Sequence, residues 1–83
     1  GDARIYIYLG LANSELEKYK EAERILDRLI NSDLVDSQKG YWYKALLYLK
    51  KGDLENARKE LNFITKNQYY NQRKAQDLLE QLE

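Results

Sequence analysis

The chain has 83 residues, and its 14 basic and 14 acidic side chains cancel to zero net charge, so no long-range field draws it to nucleic acid or to an anionic membrane surface. It has neither cysteine nor histidine, which removes disulfides, thiolate nucleophiles, the usual zinc sites and histidine proton shuttles, and with them most catalytic chemistry. A chain this short makes one small domain with a barely sufficient core, and missing cysteine assigns no compartment.

Proline is absent and the four glycines stand at Gly1, Gly10, Gly40 and Gly52, so few breaks interrupt the helical patterns. The opening Gly1 fits a cloning remnant, which would make the chain a piece of a longer protein. Its start lacks the basic flank and apolar block of a signal peptide, and no apolar run has the length of a membrane span. A first helix is expected over 3–16, where "RIYIYLGLA" is apolar on nearly every side. A helix tolerates that only when more than one of its faces is covered.

The second helix, 19–31, carries Tyr19, Ala22, Ile25, Leu26, Leu29 and Ile30 as one amphipathic stripe. The third, 37–51, contains "YWYKALLYL" and again asks for cover all round. Gly52 can take the left-handed conformation that stops it, and Asp53 can cap the fourth helix, 54–66, whose Leu54, Ala57, Leu61 and Ile64 share a face. Tyr69 and Tyr70 are expected to plug the next turn. The fifth helix, 71–82, sets Ala75, Leu78, Leu79 and Leu82 against polar Arg73, Lys74, Gln76, Asp77, Glu80 and Gln81. Short connections make neighbouring helices antiparallel.

Gly10 and Ala45 lie 35 residues apart, as do Ala22 and Ala57, which makes the chain an internal repeat with short side chains where two helices approach closely. The first copy offers Tyr6, Leu9, Gly10, Asn13, Ala22 and Leu26. The second offers Tyr41, Lys44, Ala45, Tyr48, Ala57 and Leu61, with the turn "GDLENA". In these residues the chain resembles the tetratricopeptide repeat family; Asn13 and Lys44 depart from its pattern, the closing proline is missing, and the period exceeds the family's usual ~34 by one. A step of 34 residues sets Ala75, Leu78, Leu79 and Leu82 where Tyr41, Lys44, Ala45 and Tyr48 stood. The resemblance implies an all-α fold, a short right-handed solenoid of helical hairpins with five helices in a single domain, 1–83. Its parts would be one repeat at 3–35, a second at 37–68 and a capping helix at 71–82.

The resemblance also implies a protein-interaction or scaffold module, not an enzyme and without a cofactor. Such a module binds a peptide or helix of a partner in a concave groove lined by the first helix of each hairpin. Tyr41, Ala45 and Tyr48 are expected to face the hairpin partner, leaving Lys39, Trp42, Tyr43, Leu46, Leu49 and Lys50 on the other side. Their equivalents on the first helix are Arg4, Ile7, Tyr8, Leu11, Ser14 and Glu15. The candidate partner-binding residues are therefore Tyr8, Leu11, Lys39, Trp42, Tyr43, Leu46 and Lys50, an aromatic and aliphatic trough with basic residues at its rim.

Three other readings apply to the same residues. Trp42 and Tyr8 can pack across the repeat interface and complete the core. The surplus of apolar residues on the first helix can mark where a preceding repeat was cut away. A homodimer can bury that face. The alternative function is accordingly structural, as a module for homodimerisation or for docking within a larger parent protein. Family members that clamp the carboxylate tail of chaperones use Lys, Asn and Arg, whereas the matching positions here are Ile7, Leu11, Tyr43, Arg73 and Asp77. Only Arg73 fits, so no specific binding of a free acidic C-terminus is expected. Glu15, Glu17, Glu21 and Glu23 interleave with Lys18, Lys20 and Arg24 as a solvated face. No catalytic or metal-binding residue is proposed, and neither nucleic acid nor direct membrane binding is expected.

Overall fold

A computed structural model describes residues 2–83; Gly1 lies outside the described residues. They form five α-helices and no strand: α1 (Ala3–Glu15), α2 (Tyr19–Ile30), α3 (Lys39–Lys51), α4 (Leu54–Asn67) and α5 (Gln72–Leu82).

Local chemistry sets where these helices start and stop. The Asp2 carboxylate accepts the Arg4 backbone N–H at 2.9 Å and thereby caps α1. The Arg4 guanidinium folds back on the same carboxylate at 2.7 Å, and its hydrogen bonds pull the Asp2 carboxyl down to about 2. Asp53 caps α4 in the same way, accepting from the Asn56 backbone N–H at 3.2 Å and from Asn56 Nδ2 at 2.7 Å. At the end of α3, Gly52 sits at φ +85°, its N–H donates to the Leu49 carbonyl at 3.1 Å, and the Asp53 N–H donates to the Tyr48 carbonyl at 2.8 Å. This is a Schellman closure. The end of α1 has the same pair of bonds, Glu17 N–H to Ser14 at 3.0 Å and Lys18 N–H to Asn13 at 2.8 Å, with Glu17 at φ +61°.

Small residues decide how closely the helices pack. A Cβ placed on Gly10 would lie 2.8 Å from Leu26 Cδ2, so α1 crosses α2 with no room for a side chain there. A Cβ on Gly40 would lie 2.6 Å from Ile30 Cγ1, so α3 crosses α2 just as tightly. Ala45 of α3 and Ala75 of α5 pack into one cluster with Leu61 and Ile64 of α4. The buried sets of the two amphipathic helices, Ala22, Leu26 and Leu29 on α2 and Ala57, Leu61 and Ile64 on α4, are each at most 2% exposed and correspond at a step of 35 residues. The same step relates Gly40 to Ala75, so the small residues seated on α2 and α4 follow 35 residues into α5 rather than 34.

The chain is a flat slab, 35 × 28 × 15 Å, with α3 at its centre in contact with α1, α2 and α4. As expected of a helix apolar on every side, α3 buries residues around its circumference: Gly40, Trp42, Ala45, Leu47 and Tyr48. For α1 the expectation of a second covered face is not met. It buries Ala3, Gly10 and Ser14 on one side only, while Ile5, Tyr8 and Leu9 stay 57%, 72% and 43% exposed, because no described element packs against them. Among the described residues no helix is long and apolar enough to cross a membrane.

Candidate functional site

Two clefts run along α3, one toward α1 and one toward α5, and Leu46 lines both. The first, about 90 Å³, has Gly10 and Leu26 in contact at its floor. Leu11 and Tyr43 form its walls, and Lys50 Nζ closes one end by pairing with Glu15 Oε1 at 3.1 Å. Burial, with the Tyr70 phenol beside it, pushes the Tyr43 hydroxyl above the ordinary tyrosine range. The second cleft, about 300 Å³, is lined by Trp42, Leu46 and Leu78 with Lys74 and Asp77 at its edge.

The structure thus brings Leu11, Tyr43, Leu46 and Lys50 together and separates the other three candidates from them. Trp42 is only 8% exposed, held in the cluster with Ala45, Leu61, Ile64 and Ala75, and presents no more than an edge to the second cleft. As a free aromatic anchor it is corrected to a core residue, because α5 lies across it. Lys39 turns toward the connections: its ammonium lies 3.8 Å from Asp36 Oδ1 and 5.0 Å from the centre of the Tyr70 ring. Tyr8 stands outside the trough, on the far side of α1 with Ile5 and Leu9. Its counterpart Tyr43 is half-buried against α2 and Leu47, whereas no described element packs against Tyr8.

On the side of α3 toward α2 and α4 lies a polar network. Lys44 Nζ is 2.8 Å from Asp27 Oδ1 and 3.7 Å from Glu60 Oε2, and its side chain is 13% exposed. The Tyr48 hydroxyl donates to Glu23 Oε2 at 2.6 Å, so its tip reaches α2, and Glu23 leaves the solvated face assigned to it. Burial lowers the Lys44 ammonium, but the Asp27 and Glu60 carboxylates outweigh it and set the net shift upward. Burial raises the Glu60 carboxyl, with Lys44 opposing. Lys44 inside "YWYKALLYL" was the visible signal for this network, since a lysine among apolar residues requires carboxylate partners. Those partners come from two other helices and are not marked in the sequence.

Beside the connections, Tyr41, Phe63 and Tyr69 form an aromatic cluster with centroids 4.8–5.8 Å apart, and Gln38 Oε1 accepts the Tyr70 N–H at 3.1 Å. Tyr69 packs against the core at the turn before α5, as expected, while Tyr70 stays exposed. Among the described residues no group of His, Cys, Asp or Glu is arranged to hold a metal ion. Compared with family models, curated proteins and solved structures, the chain matches none.

Proposed function

We propose that this chain is a protein-interaction module: a short solenoid of helical hairpins of the tetratricopeptide type that holds a peptide or helix of a partner along the trough side of α3. The repeat reading is supported by the 35-residue correspondence of the packing residues and by the matching closures at Glu17 and Gly52. The observation that carries the binding reading is the pair of apolar clefts that meet at Leu46. Two neighbouring apolar side chains of a ligand would enter them and bury Leu11, Leu46 and the Trp42 edge.

Charges of both signs stand at the rims, Lys50 with Glu15 and Lys74 with Asp77, so the ligand is selected for shape and apolar content rather than net charge. The proposed function is non-enzymatic: the lysines and carboxylates at the clefts are exposed rim residues, and Lys50 and Glu15 already pair with each other. Selection from a displayed random peptide library tests the reading. Enriched peptides should bind the wild-type chain with micromolar affinity and lose at least about tenfold with Leu46→Glu, a change of about 1.4 kcal/mol. Peptides insensitive to Leu46→Glu, or no enrichment at all, would contradict it.

A further inference from the structure

The outer side of α1 carries Ile5, Tyr8, Leu9, Ala12 and Leu16, which at helical spacing fall in one stripe about 17 Å long, directly opposite buried Ala3, Gly10 and Ser14. Its four large members are 57%, 72%, 43% and 65% exposed. The equivalent positions of α3, 35 residues on, are Gly40, Tyr43, Lys44, Leu47 and Lys51; Lys51 at the end is exposed, but the rest of the face is covered by α2: Gly40 lies under Ile30, and Leu47 is packed with Ala22 and Leu26. The same surface is therefore covered on α3 and bare on α1. A continuous apolar stripe of this kind marks an interface.

Charge and symmetry choose the occupant. Arg4 and Glu15 are eleven residues apart, so they project about 20° from one another on the same flank of the stripe, one near each end of α1. When two copies of α1 pair antiparallel about a two-fold axis, stripe meets stripe and each Arg4 faces the other copy's Glu15. In a parallel two-fold pair the Arg4 and Glu15 flanks of the two copies would lie on opposite sides of the interface and would not meet. Both side chains are available, 90% and 78% exposed, with Asp2 and Lys50 as their present partners. Small Ala12, next to Leu9 on the stripe, permits close approach of the helices. Head-to-tail stacking lacks a complement, because Arg73, Gln76 and Glu80 on α5 are exposed and polar, while Ala57, Leu61 and Ile64 of α4 are already buried. We propose that a second copy of this chain covers the outer face of α1, forming a two-fold antiparallel α1–α1 dimer with paired Arg4–Glu15 contacts across the interface.

One helix per copy buries less than the roughly 800 Å² per partner of a standard interface, so the dissociation constant is expected in the micromolar range. Sedimentation equilibrium from about 5 µM to about 1 mM should show the mass rising from 9.9 kDa toward twice that value. Tyr8→Glu should weaken dimerisation at least about tenfold, and Leu46→Glu should leave it unchanged, which separates this interface from the trough. Arg4→Glu and Glu15→Arg should each weaken it about threefold or more, and the two together should restore it to within about twofold of wild type. Melting of each variant at low concentration, where all are monomers, checks that the fold is intact. A wild type monomeric throughout the range overturns the proposal, as does a double swap no better than its singles. Binding of a synthetic peptide spanning 19–31 to the stripe of a strictly monomeric chain would likewise replace the second copy with an amphipathic helix as occupant.

Discussion

Lys44 Nζ stands 2.8 Å from Asp27 Oδ1, a contact that joins the third helix to the second across the boundary between the two hairpins. Glu60 approaches the same ammonium from the fourth helix at 3.7 Å, and Tyr48 ties Glu23 into the group. Two carboxylates therefore hold one cation in a partly buried setting, and a third stands nearby on the Tyr48 hydroxyl. Lys44→Met removes the cation and leaves Asp27 and Glu60 without it, at an expected loss of about 1–3 kcal/mol in urea unfolding. Adding Glu60→Gln to Lys44→Met should recover part of that loss. An additive double variant would mean that the two groups do not interact.

Glu17 and Gly52 hold the same place in two turns, both left-handed, yet only one is glycine. A side chain with Cβ is strained there, so Glu17→Gly should stabilise the fold by about 0.5–1 kcal/mol despite the added freedom of the unfolded chain. A higher midpoint with unchanged slope in denaturant unfolding checks it.

Trp42 and Tyr8 should behave in opposite ways. Trp42→Ala empties the centre of the larger core cluster and should cost about 3–5 kcal/mol. Tyr8→Ala, on an exposed face, should change the stability of the monomer by no more than about 0.5 kcal/mol. Thermal melts at low concentration distinguish the two.

Stability should fall at alkaline pH. Burial raises the Tyr48 phenol far above its ordinary range, with the Glu23 contact adding to it, and burial raises Tyr41 and Tyr43 as well. Lys44 is also raised, by Asp27 and Glu60 against its burial. An unfolded tyrosine releases its proton near 10.0, before the folded ones do. Above that pH the unfolded chain holds fewer protons than the folded one, so the contribution of these groups, full below about 10, is lost as pH rises. Tyr48→Phe should flatten the decline in unfolding free energy between pH 9 and 12, relative to wild type.

Most of the helical layout was legible because the cues are local. The stripe of Ala22, Leu26 and Leu29, the cap at Asp53 and the stop at Gly52 each act within one or two turns. What escaped depends on neighbours. Trp42 has the same chemistry whether it faces water or α5, and only the placement of Ala75 decides that it is core. Periodicity put Lys39 and Lys50 on one face of the third helix, but Lys39 is drawn away by Asp36 and Tyr70, which belong to the connections. The cleft at Leu46 is floored by Gly10 and Leu26, which meet across two helices, and only packing brings Leu11, Tyr43 and Leu46 around them.

The most direct test of the interaction reading is an amide chemical-shift titration of the labelled chain with a peptide taken from the library selection. Shifts concentrated on Leu11, Leu46, Lys50, Lys74 and Leu78, and absent from Ile5 and Leu9, are the predicted result. Shifts confined to the outer face of α1, or spread evenly without saturation, would contradict a partner-binding trough along α3.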